Sequence, residues 1–369
     1  MTSHASLQQQ IEQLIRPEIR ALHAYPVGDA SGMIKLDAME NPYRWPDAML
    51  AEWQQLLADV ALNRYPHPKA PEVVAGLRAA MAVPAEYDIL LGNGSDEIIQ
   101  LLAMAVARPG ATILAPEPGF VMYKMIATFV GLNYVGVPLG AGFELDGEAM
   151  LSAVREHQPA LVFLAQPNNP TGNLWDEGVM RAVIDACATN SRPGLVVMDE
   201  AYLPFSSRQH LHLLDEYSNV VVMRTLSKVG LAGLRLGLLI GRPEWLHELD
   251  KIRMPYNINV LTQASAAFAL QHYPVLLEQC EQIRQTRASL QQSLAALGFE
   301  VFESQANFVL ARAPEGKAAR ELFEQLKQKR ILIKCLDGGH PSLVGCLRFT
   351  VGSADENAAL VSALQDLLA

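Results

Sequence analysis

A chain of 369 residues, half of them hydrophobic and 18% charged, is long for one compact domain and carries enough apolar material for two lobes. Its formal net charge of −10 argues against nucleic acid as a partner, because phosphate backbones are bound by basic faces. The polar first twenty residues lack a signal-peptide core, no stretch of about 18 apolar residues could span a bilayer, and Cys187, Cys280, Cys335 and Cys346 form no CxxC pair; we therefore expect a soluble cytoplasmic chain.

From about Tyr87 to Gly241, short apolar runs alternate with stretches of helical periodicity. The runs are “DILLGNG”, “ATILAPEP”, “LVFLAQP”, “GLVVMDEAY”, “NVVVMRTLSK” and “LGLLIG”. Strands that are apolar on both faces and alternate with helices predict an α/β fold, a mostly parallel sheet sandwiched by helices. Leu261 to Leu297 reads as one long helix kinked at Pro274 and stopped by Gly298. “ANFVLARA”, a helix near residues 316–329, “ILIK” and “CLRFTVG” then predict a smaller α+β lobe, which the first 40 residues are expected to join. The expected division is 41–265 for the large domain, and 1–40 plus 266–369 for the small discontinuous one.

Ligands in open α/β sheets bind beyond the carboxyl ends of the strands, and four polar clusters fall at such ends. In “GNGSDE”, two glycines permit a tight turn, Ser95 can cap the following helix, and Asp96 and Glu97 suit its first turn. The helix-terminal N–H groups there could hold a phosphate, although an ordinary capped helix start has the same residues. “QPNNPTG” presents Asn169 between two prolines, either as a rigid amide donor or as a plain Asx-turn. “VVMDEAY” ends a buried strand in Asp199, whose charge requires a partner, whether a structural arginine or lysine or a protonated ring nitrogen. Tyr202 follows three residues on. In “RTLSKVGLAGLRLG”, Lys228 stands at a strand end in apolar surroundings that lower an amine's pKa and favour imine formation. Thr225, Ser227 and Arg235 could surround a phosphate. A lysine, a carboxylate for a pyridinium and a phosphate cup together suggest pyridoxal 5′-phosphate. “HLH” at His210 and His212 lacks a third ligand nearby and reads as a solvated loop, so no metal is expected.

“NRYPHPKA”, “GNGSDE”, “PNNPTG”, “DEAY”, “RTLSK…LAGLRLG” and “LRFTVG”, in this order and spacing, resemble the histidinol-phosphate aminotransferase family of fold-type I enzymes. The resemblance runs from about Tyr25 to the C-terminus. It implies that Lys228 holds the cofactor and shuttles the proton, that Asp199 pairs with the ring nitrogen, and that Asn169 and Tyr202 bond the ring's phenolic oxygen. It implies Phe120 as the stacking aromatic, and a phosphate site made of Ser95 and Asp96 N–H groups with Thr225, Ser227 and Arg235. Tyr65 would reach that phosphate from the second subunit of a homodimer, and Arg348 would hold a substrate carboxylate. Three positions depart from the family pattern. Arg235 follows Lys228 by seven residues where many relatives show eight, Phe120 replaces a tyrosine, and Lys334 stands where an arginine would grip the substrate phosphate. The implied reaction is transamination between histidinol phosphate and 2-oxoglutarate. A threonine-phosphate decarboxylase or a broad aromatic aminotransferase shares most of these motifs. “LDAMENPYRWP”, residues 36–46, resembles a segment near the family's substrate, but also reads as a proline-rich loop between lobes.

Overall fold

The computed structural model describes residues 6–24 and 28–369, so the start of the family resemblance at Tyr25 lies outside the described residues. Its centre is a seven-stranded sheet. In spatial order the strands are Asp88–Asn93, Leu236–Gly241, Val220–Thr225, Leu195–Asp199, Leu161–Ala165, Thr112–Glu117 and Asn133–Pro138. Only Leu236–Gly241 runs antiparallel to its neighbours; the other pairs are parallel. The three central strands ending at Ala165, Asp199 and Thr225 are buried at every residue. Burial on both faces is why they read as unbroken apolar runs.

The six expected strands are all present, and a seventh, Asn133–Pro138, is an addition to the sequence reading. It lies at the sheet edge and is only partly buried, with Gly136 and Pro138 interrupting its pattern. Expected helices form at Ser95–Val106, Val121–Val130, Gly147–His157 and Glu177–Thr189. The reading of one kinked helix after Leu261 is corrected. Two helices, Val260–Gln271 and Tyr273–Ala296, meet at His272, and Pro274 sits in the first turn of the second, where its missing N–H leaves no bond unmade. Gly298 follows with φ +85°, as a helix stop requires.

A second, antiparallel sheet has the order Lys334–Cys335, Cys346–Thr350, Phe308–Arg312 and Glu300–Val301. The short strand Ile34–Lys35 pairs with Ile331–Leu332 beside it. Not all of the N-terminal stretch stays on this side, because the Arg16 guanidinium donates to the carbonyl of Phe129 in the helix Val121–Val130. Among the described residues, no helix is long and apolar enough to cross a membrane.

Candidate active site

All six parallel strands point their carboxyl ends to one edge, and the antiparallel strand begins there at Leu236, paired near Thr225. The clusters that follow these strand ends therefore converge on a cavity of about 360 Å³, within the usual range for a small-ligand site. Its walls include Ser95, Asp96, Phe120, Asn169, Asp199, Tyr202, Thr225, Ser227, Lys228 and Arg235. Ten sequence-predicted residues thus meet at one place.

Lys228 leaves the sheet on a wide helical turn, Ser227–Leu231. Gly230 adopts φ +118° against Asn41, and Arg235 takes a left-handed φ of +50°. These two turns explain how Arg235 reaches the cavity only seven residues after Lys228. Lys228 Nζ donates to the Ala38 carbonyl at 3.1 Å and lies 5.8 Å over the Tyr202 ring. Burial, then the positive charge of Arg348, lowers its pKa to about 8. An amine so placed is neutral over an accessible pH range and can attack a carbonyl.

Asp199 ends its strand 5% exposed. The arginine next door, Arg224, is committed elsewhere: its Nε donates to Glu200 Oε2 at 2.8 Å, and His210 lies 3.1 Å from the other oxygen. Asp199 instead accepts from two neutral donors, Tyr123 Oη at 2.5 Å and Ala201 N at 3.0 Å. Burial raises its pKa to about 6 against the lowering effect of these bonds. A buried carboxylate held by neutral groups and opening on a cavity is built to meet a cationic ligand atom.

The opposite end suits an anion. The helix Ser95–Val106 begins here after Gly94, whose φ is +80°, and a Cβ at Gly94 would lie 2.6 Å from Arg235 Nη2. A Cβ at Gly237 would fall 2.6 Å from Ser95 N, so both glycines keep the first helical N–H groups and the guanidinium close together. Ser95 is not the cap predicted from sequence; Gly94 holds that position without a side-chain bond, which leaves the helix-terminal N–H groups for a ligand. Thr225 Oγ1 lies 2.9 Å from Ser227 Oγ, and Arg235 Nη2 lies 3.3 Å from Asp96 Oδ2. Asn169 Nδ2 donates to Tyr202 Oη at 3.0 Å while its Oδ1 accepts from Arg348 Nη1 at 2.6 Å. The buried arginine thereby fixes which way the amide faces.

Arg348 and Lys334 line a second cavity, about 650 Å³, that shares Met39, Phe120 and Asn169 with the first. Lys124 and His340 also face it. Tyr65 is not in either cavity; it is 82% exposed and stacks on Tyr256 with ring centroids 4.6 Å apart.

Residues 38–40 belong to the stretch 36–46, which the sequence reads either as a substrate-side segment or as a loop between lobes. Met39 and Glu40 line the first cavity, and the Ala38 carbonyl receives Lys228. Arg348 Nη2 also donates to Asp37 O at 2.8 Å. Which of these residues act through a backbone carbonyl leaves no residue-type signal. Tyr123 is the part of the site that escaped the sequence reading; it matches the apolar face of its helix, and only its spacing of three from Phe120 placed both on one side. His210 is corrected too. It is 1% exposed and bound to Glu200 rather than solvated, and no metal-binding group of three or more residues occurs among the described residues.

The fold is that of the aminotransferases. The histidinol-phosphate aminotransferase of Sinorhizobium meliloti, solved in complex with pyridoxal-5′-phosphate, matches with a TM-score of 0.84 and 26% identity over 96% of this chain and 97% of that one. The family described as aminotransferase class I and II matches residues 31–364, and the chain belongs to this family. Histidinol-phosphate aminotransferase 2 of Cupriavidus pinatubonensis is 52% identical over 361 residues, covering 96% of this chain and 98% of its own. Histidinol-phosphate aminotransferase of Chromobacterium violaceum is 54% identical over 356 residues, with 96% and 98% covered.

Proposed function

We propose that the chain is a pyridoxal-phosphate-dependent transaminase that interconverts L-histidinol phosphate and imidazole-acetol phosphate with 2-oxoglutarate and glutamate, in histidine biosynthesis. The observation that carries this reading is the pairing, across one cavity, of a buried carboxylate held by neutral donors with a lysine of lowered pKa. The relatives' shared name supplies the substrate class. When bound, the cofactor supplies an aldehyde for the amine and a protonated ring that draws electrons from the carbon losing its proton.

The residues present fit that group. Asp199 is the partner for a ring N–H, and Phe120 offers its face to a planar ring. Tyr202, positioned by Asn169, offers its hydroxyl to a phenolate oxygen. The helix start at Ser95 and Asp96, with Thr225, Ser227 and Arg235, forms the phosphate cup. With the cofactor bound, Lys228 Nζ would be the base that takes the proton from the substrate α-carbon and delivers it to the carbon on the far side of the shared nitrogen. Arg348 and Lys334 are assigned to the acidic ends of the two substrates.

Two half-reactions at one site predict parallel double-reciprocal lines when histidinol phosphate and 2-oxoglutarate are varied together; intersecting lines would contradict the scheme. The rate at which the apo-protein loads the cofactor should rise with pH and level off above about 8, because only the neutral amine attacks. An ordinary lysine would keep gaining rate toward its usual 10.5.

We further propose a cytoplasmic homodimer in which Tyr65 completes the partner's phosphate cup. Leu62, Tyr65, Met254, Tyr256 and Leu261 are all more than 40% exposed, and Leu7 and Leu14 on the N-terminal helix are more exposed still than Leu261. Such apolar surface suits burial against a second copy. Mixing Tyr65→Ala subunits with Lys228→Ala subunits should restore about a quarter of wild-type activity, since half the dimers are mixed and each mixed dimer has one intact site. No restoration would mean each chain builds its site alone. The division into lobes 41–265 and 1–40 plus 266–369 is part of the same proposal, supported by the pairing of Ile34–Lys35 with Ile331–Leu332.

A further inference from the structure

We propose that Tyr123 is a positioning residue for Asp199, holding one carboxylate oxygen so that the group stays ionised with its remaining edge turned to the cavity. The inference rests on the pyridoxal-phosphate reading above and extends it to a residue outside the cavity wall.

Tyr123 lies in the first turn of the helix Val121–Val130 and is 2% exposed. Its ring stacks on Phe163, with centroids 4.3 Å apart and planes 14° from parallel, and packs nearly perpendicular to Phe120 with centroids 5.5 Å apart. Packing on both sides leaves its hydroxyl one direction, and there it donates to Asp199 Oδ2 at 2.5 Å. Ala201 N fixes the other oxygen at 3.0 Å. One side chain therefore ties the aromatic wall at Phe120 to the carboxylate that would meet the ring nitrogen.

The surroundings make this hydrogen bond consequential. Asp96 and Glu200 add negative charge near Asp199, and Glu200 is itself held by Arg224 and His210. Tyr202 and Tyr134 add only phenols to this corner, and Lys228 stands in the same cavity. Burial favours the neutral carboxyl, while Tyr123 and the Ala201 amide oppose it. The same burial, together with Asp199, raises the Tyr123 pKa well above the ordinary range, so the phenol remains a donor at neutral pH. Charge-assisted bonds of this kind are among the stronger side-chain interactions.

Tyr123→Phe keeps both ring contacts and removes only the donor. A less readily ionised Asp199 leaves less positive charge on the ring, so the Lys228 nitrogen joined to the cofactor binds its proton more tightly. The pH midpoint of the cofactor's visible band should move upward by about one unit. Turnover should fall roughly tenfold with KM for glutamate within about twofold, the pattern of a group acting in the transition state. In an Asp199→Asn background, where there is no charge to hold, adding Tyr123→Phe should change turnover by less than about twofold. This double variant also has no buried charge to destabilise it, so the comparison survives if the single variant folds poorly.

An unchanged midpoint in Tyr123→Phe, or an equal loss in both backgrounds, would show that Tyr123 only packs and would overturn the proposal. A wild-type protein with no visible band that depends on Lys228 would instead overturn the cofactor reading beneath it.

Discussion

Lys228→Ala is expected to abolish both turnover and the visible absorbance of lysine-bound cofactor, with kcat lowered on the order of 10⁴-fold. The size follows from two duties on one atom. In the proposed reaction Nζ is the nucleophile that captures the aldehyde and also the base that moves the proton between two carbons. The structure prepares it for both, through its bond to the Ala38 carbonyl and the burial that lowers its pKa to about 8. Phosphate-cup contacts do not involve Lys228, so cofactor should still bind, more weakly and without that band. Retained turnover in this variant would remove the basis of the assignment.

Asp199 has the second largest expected effect, and it acts in opposite directions on activity and stability. Replacement by Ala should lower kcat by roughly 10²- to 10³-fold, the scale seen when a preorganised electrostatic partner is lost. The apo-protein should gain from Asp199→Asn. The folded-state pKa of about 6 lies above the ordinary 3.8, so the folded chain keeps a proton that the unfolded chain releases as pH rises between them. Stability is therefore lost across that window, and at neutral pH the buried charge costs about 3 kcal/mol at most. Apo Asp199→Asn should unfold at a higher denaturant midpoint than apo wild type at pH 7.5, by an amount equivalent to about 1–3 kcal/mol. The advantage should shrink to nothing as the pH approaches 4. Equal midpoints at pH 7.5 would mean that Asp199 is not strained without its ligand. Structures that store unfavourable charge at a site commonly do so for function.

What was legible in the sequence follows a physical division. Central parallel strands are apolar on both faces, so Leu161–Ala165, Leu195–Asp199 and Val220–Thr225 stand out, and the polar residues at or just beyond their ends are conspicuous by contrast. Lys228, Asp199 and Asn169 were accordingly readable. The edge strand Asn133–Pro138 was not, because it is half solvated and carries Gly136, where a Cβ would lie 2.3 Å from Glu117 Oε2. Ala38 contributes a carbonyl, which any residue possesses. Tyr123 was hidden by its helix: an amphipathic pattern marks which face is buried and not which buried hydroxyl meets a carboxylate. The stacked pair Tyr65 and Tyr256 shows the remaining gap, since a residue assigned to a partner's site looks like exposed surface in its own chain.

The most direct measurement mixes purified holoprotein with one amine at a time and follows the cofactor's conversion from aldehyde to amine form by absorbance. L-histidinol phosphate and L-glutamate should each convert it rapidly, with little response to L-phenylalanine or L-threonine phosphate. Carbon dioxide release from L-threonine phosphate, or conversion by L-phenylalanine as fast as by L-histidinol phosphate, would contradict the account. The second outcome would mean that Lys334 does not confine the site to a phosphorylated substrate.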